Sequence, residues 1–99
     1  MLILIISLHE SYLKVLLWLT LRIVLVEPQH PGNIGAVARA MANFGLNDLA
    51  MVKGCELADE SYARSKSGRP VLEKSKRYIT IEEAIADCDI AIGTSGIRP

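Results

Sequence analysis

Two short glycine-bearing loops carry the residues best suited to chemistry. In residues 28–39, PQHPGNIGAVAR, Gly32 and Gly35 bracket a helix start, Asn33 stands between them, and Arg39 follows Gly35 by one helical turn. Free backbone N–H groups and the positive end of a helix dipole make such a start favourable for an anion. Gly35 and Arg39, at i and i+4, share one side of the helix, so the glycine is expected to leave open space before the guanidinium. A phosphate or carboxylate would suit that space. Asn33 reads as the N-cap. His30, between two prolines, reads as an exposed loop histidine rather than a general base. The second loop, Gly93-Thr94-Ser95-Gly96, offers two hydroxyls flanked by glycines, where a ligand can approach the backbone closely. Each feature also has a plainer reading: a solvated helix arginine, a simple cap, a common turn.

The elements around these loops alternate strand and helix. Leu21–Val26 is a short run rich in β-branched residues, ended by Glu27-Pro28, and reads as a buried strand. The helix that follows places Ile34, Val37, Ala38 and Met41 on one apolar face, and Gly45 is a plausible terminator. Residues 49–52 predict a second buried strand, closed by Gly54. Residues 58–76 are polar and basic, with Arg64, Lys66, Arg69, Lys74 and Lys76, and read as short helical pieces joined by a mobile loop. A short strand is expected at 78–81. Thr80 with Glu83 forms a capping box for a helix over 81–88, and residues 89–92 predict the last strand. The order implies an α/β fold, a parallel sheet with flanking helices. Ligands of such sheets bind at the carboxyl ends of strands, where both loops lie.

The chain has 99 residues, a formal net charge of +0 and 51% hydrophobic residues, which is one small domain and excludes a disordered chain. Balanced charge removes any global electrostatic argument for nucleic acid or membrane, so a local site must carry one. Cys55 and Cys88 form no CxxC and stand near no histidine pair, so they read as reduced thiols rather than a disulfide or metal site. No metal site is expected. Residues 1–20 are more apolar than the rest. They lack the basic start and cleavage pattern of a secretory signal, and Ser7, His9, Glu10, Ser11 and Lys14 interrupt them too often for a membrane span. They read as a leader outside the domain proper, with an additional strand plus helix as the other option. The domain proper is residues 21–99.

RIVLVEPQHPGNIGAVARAMANFGLNDLAMV, followed by DCDIAIGTSGIR, closely resembles the start of SPOUT-class RNA 2′-O-ribose methyltransferases, in the TrmJ-like branch of the TrmH group. The resemblance covers residues 21–99. It implies the N-terminal half of an α/β-knot domain, S-adenosylmethionine as cofactor, tRNA or rRNA as substrate with tRNA favoured, a homodimer, and a cytoplasmic location. Arg39 resembles the family's motif arginine, which engages RNA phosphate near the target ribose and helps activate the 2′-hydroxyl. Asn33 matches the asparagine that organises the active-site loop. Gly32 and Gly35 would border the phosphate, and Thr94, Ser95 and Gly96 resemble the first cofactor-contacting segment. Gly96 stands where alanine is common, and Arg98 lies near a position where a further arginine often occurs. The resemblance further implies about 50–70 more residues of catalytic domain, carrying the knot that completes the cofactor pocket.

Two other readings compete. One is a non-catalytic RNA-binding or dimerisation module using the basic 64–77 stretch, with Tyr62 and Tyr78 as stacking surfaces. The other is a Rossmann-type nucleotide binder using Gly32, Gly35 and Glu56, whose fingerprint is incomplete because the loop lacks GxGxxG.

Overall fold

Leu21–Val26 alternates Ile23 and Leu25 towards one side with Val24 and Val26 towards the other, and all four belong to hydrophobic clusters. A strand apolar on both faces must be covered on both, which is the signature of a sheet with helices above and below. The computed structural model describes residues 2–6, 21–87 and 90–94 and has that arrangement. Its strands are β1 (Leu2–Ile6), β2 (Leu21–Val26), β3 (Asp48–Val52), β4 (Lys76–Tyr78) and β5 (Ile90–Thr94). Its helices are α1 (Pro31–Asn43), α2 (Asp59–Ser65), α3 (Arg69–Glu73) and α4 (Ile81–Ile85), with a 3-10 turn at Lys66–Gly68.

The sheet order is β4-β3-β2-β1-β5. β2, β3 and β4 pair in parallel, as the strand–helix alternation predicts. β1 pairs antiparallel with both β2 and β5, so residues 2–6, set apart in the sequence as part of a leader, are incorporated into the sheet. Leu2 pairs with Leu25 on one edge and Thr94 on the other. The carboxyl ends of β2 and β5 are therefore level and point the same way, which brings the β2–α1 loop and Thr94, a strand residue rather than part of a loop, to one edge.

One face of the sheet packs Ile23, Leu25, Leu49 and Met51 against Ile34, Ala38 and Met41 of α1, with Val71 and Leu72 of α3. The other face packs Val24, Ala50 and Val52 beneath Ala84 of α4. Arg22 interrupts this apolar pattern at the amino end of β2. Its nearly buried guanidinium pairs with Asp48 (3.0 Å) and Asp87 (2.9 Å) and donates to the Ala84 carbonyl (2.8 Å), tying α4 to the sheet.

α1 ends as Gly45 permits. With φ at +77° it lets Leu46 N–H reach the Met41 carbonyl and its own N–H reach Ala42, while Leu46 enters the core. α4 starts as predicted, with Thr80 Oγ1 accepting from Glu83 N–H (3.1 Å) and the Glu83 carboxylate accepting from Thr80 N–H (3.4 Å). That cap uses residues 79–80, so β4 occupies Lys76–Tyr78 rather than 78–81. The basic stretch forms the expected short helices, but its junction is anchored. At Gly68 the chain lies so close to the Ala38 carbonyl and the Arg39 nitrogen that a Cβ would overlap them.

Candidate functional site

The loop between β2 and α1 is held from below. Glu27 N–H extends the ladder to the Val52 carbonyl (2.7 Å), and Cys55 N–H donates to the Pro28 carbonyl (2.8 Å). The turn that supplies Cys55 is itself clamped by Arg77, whose guanidinium donates to the Lys53 and Cys55 carbonyls. Arg77 thus belongs to the loop's support while its side chain stays exposed. Nothing in its local sequence signals this, because both acceptors are backbone atoms of a distant turn.

α1 begins at Pro31, with His30 as N-cap and no side-chain cap bond. Asn33 is therefore not the cap: proline is favoured at the first helical position because it lacks an N–H to satisfy, and it sets the start three residues earlier. Asn33 is exposed within the first turn, and His30 is exposed as expected.

Gly35 and Gly32 also depart from the sequence expectation. Gly35 is buried against α2, and a Cβ there would overlap the Ser61 carbonyl oxygen. Gly32 is overlaid by the ends of the Glu60 and Arg64 side chains. Gly35 is thus a helix-packing glycine rather than the open front of an anion pocket, and no pyrophosphate can approach it as a Rossmann reading requires. Ser61 completes this junction. Its buried hydroxyl accepts from Ala58 N–H (3.1 Å) and donates to the Pro31 carbonyl (2.8 Å).

Open space before Arg39 exists, but other residues make it. Arg39 is exposed and lines an open trough of about 390 Å³ with Ala36, Ala63, Arg64 and Lys66. Ala36 and Ala63 contribute only methyl groups, which leaves the guanidinium accessible. Its side chain makes no hydrogen bond or ion pair with the described residues. Such a group can take an anionic oxygen from outside without first giving up a carboxylate.

The rest of the basic stretch is partly spent. Arg69 pairs with Glu73 (3.2 Å) and lies 5.0 Å from the Tyr62 ring centroid, so that ring face is covered rather than free for a base. Tyr78 packs against the core under α4.

Thr94 ends β5 at the same edge, while Ser95, Gly96, Arg98 and Cys88 lie outside the described residues. A second depression opens at the carboxyl ends of β2 and β3, lined by Val26, Glu27, Val52, Lys53, Ile79 and Thr80 among others. Among the described residues no group of histidine, cysteine or acidic side chains could hold a metal ion, and no helix is long and apolar enough to cross a membrane.

The family model described as "SpoU rRNA Methylase family" matches residues 20–98, which hold the parallel strands β2, β3 and β4 and the residues that line the Arg39 trough. The chain belongs to that family. It is 40% identical over 77 residues to the tRNA (cytidine-2′-O-)-methyltransferase TrmJ of Methanocaldococcus jannaschii, covering 77% of this chain and 34% of that protein. It is likewise 40% identical over 76 residues to the tRNA (cytidine/uridine/adenosine-2′-O-)-methyltransferase TrmJ of Pseudomonas aeruginosa, covering 76% and 30%. The crystal structure of TrmJ from Z. mobilis ZM4 superposes with a TM-score of 0.63 at 39% identity, covering 66% of this chain and 30% of that one. A probable methylase family protein from Haemophilus influenzae Rd KW20 superposes with a TM-score of 0.68 at 38% identity, covering 70% and 30%. The chain thus spans about a third of the length of the curated relatives it matches.

Proposed function

We propose that the protein carrying these residues transfers a methyl group to a ribose 2′-hydroxyl of RNA, with tRNA as the substrate class. The observation that carries this reading is the accessible Arg39 guanidinium, unpaired among the described residues, at a position that resembles the family's motif arginine. The printed functions of the two TrmJ relatives support the substrate class. Arg39 binds a phosphate beside the target ribose and stabilises negative charge as it develops on the 2′-oxygen. Asn33, exposed in the first turn of α1, orders the adjoining loop. Phosphate binding falls to Arg39, since Gly32 and Gly35 are covered.

The cofactor in this reading is S-adenosylmethionine, and the donor set fits it. Thr94 and Ser95 carry hydroxyls and Gly96 carries no side chain, neutral groups whose chemistry suits ribose hydroxyls and an adenine edge. When bound, S-adenosylmethionine supplies the electrophilic methyl group. The alignment of the β2 and β5 carboxyl ends supports one site built from both loops, and we take the active form to be a homodimer in the cytoplasm.

The test is incorporation of labelled methyl into tRNA transcripts. Arg39→Ala is expected to lower incorporation by roughly 10²–10³-fold with an unchanged circular dichroism spectrum. Full turnover by the variant, or none by the wild type, would overturn the reading.

A further inference from the structure

Arg39 is not alone in its trough. Arg64, near the end of α2, and Lys66, in the 3-10 turn that follows, line the same concavity, and no carboxylate shares the lining. Neither side chain is ion-paired with the described residues. Two close approaches assemble the group. Gly35 against Ser61 sets α2 on α1, and Gly68 against Ala38 and Arg39 brings the 3-10 turn beside the arginine. Three cations from separate turns of chain are thereby gathered over a floor of alanines, with the Glu60 carboxylate near Arg64 but outside the lining.

An independent observation concerns Lys66 itself. Its backbone stands at φ +49°, ψ −119°, a conformation that favours glycine and strains any residue with a side chain. Glycine would relieve that strain, and the side chain held there instead is a lysine lining the trough.

We propose that Arg64 and Lys66 form, with Arg39, a track for the sugar-phosphate backbone of RNA, holding phosphates that flank the one Arg39 engages. This rests on the RNA-substrate reading above. A guanidinium and an ammonium contact phosphate without reading bases, so the track supplies affinity and register rather than sequence choice.

The experiment is fluorescence anisotropy of a fluorescein-labelled tRNA transcript with the full chain across a KCl series. The slope of log K against log[KCl] is compared among wild type, Arg64→Gln/Lys66→Gly, and the control Lys74→Gln/Lys76→Gln, which removes equal charge outside the trough. The trough variant is expected to lose about 2 from the slope, about 1 per phosphate contact, while the control keeps the wild-type slope. Lys66→Gly alone is expected to raise Tm while weakening RNA binding, opposite signs that a structural role for the lysine would not produce. Equal slopes for all three proteins would overturn the proposal, as would equal losses in the two variants or no salt-dependent binding by the wild type. Labelled-methyl incorporation is read in parallel. If it is absent while the trough variant alone loses slope, the methyltransferase reading falls and the RNA track stands.

Discussion

The α-carbon of Gly35 lies against the backbone carbonyl oxygen of Ser61, leaving no room for a single methyl group between α1 and α2. Alanine is ordinarily the better helix residue, by about 0.8–1.0 kcal/mol over glycine. Here the obstructing atom is backbone on a helix fixed by the Ser61 hydroxyl, so it cannot swing away. Gly35→Ala is expected to destabilise by about 1–3 kcal/mol in urea unfolding. Gly32→Ala meets only the mobile ends of Glu60 and Arg64, and its stability should stay within about 0.5 kcal/mol of wild type.

Arg22 offers a second quantitative test. Its guanidinium is nearly buried, but its partners Asp48 and Asp87 keep 37% and 62% of their side-chain exposure. Removing the arginine therefore leaves two hydrated carboxylates rather than two stranded charges. The larger loss is the donor to the Ala84 carbonyl. Arg22→Met is expected to cost about 1–3 kcal/mol in chemical denaturation, below the 3–5 kcal/mol of a fully buried broken pair. Asp87→Asn should cost less than about 1 kcal/mol.

α4 has five residues, too few to persist without its cap and its packing. Thr80→Ala removes the acceptor for Glu83 N–H and is expected to destabilise by about 1 kcal/mol, with Thr80→Ser restoring most of it. Faster amide exchange confined to residues 81–85 would check that the effect is local.

Where a feature depends on neighbouring residues, the sequence displays it. The β2 run, the Gly45 terminator and the Thr80–Glu83 box all stand where their local chemistry indicates. Asn33 misleads because two good helix-start residues compete and Pro31 comes first. The meaning of Gly35 is hidden because what opposes it, Ser61, arrives from a helix beyond the next strand. Arg22 and Arg77 are illegible for the same reason, since their acceptors are far along the chain and several are backbone carbonyls. The candidate site divides likewise. The motif singles out Arg39, but the residues that open space before it and add charge beside it, Ala36, Ala63, Arg64 and Lys66, converge only through packing.

The antiparallel β1 has a kinetic consequence. β2 and β5 share a direction but no hydrogen bond, and β1 joins them by pairing Leu2 with both Leu25 and Thr94. That ladder spans nearly the whole chain, so its loop-closure entropy falls due last, after the short-range β2–α1–β3 unit has formed. The same seam is then the first to part. Opening at β1 would release β5 while α1, and Arg39 on it, stayed in place. Docking of β5 on β1 is thus a separately cooperative event, able to come and go within an otherwise native fold.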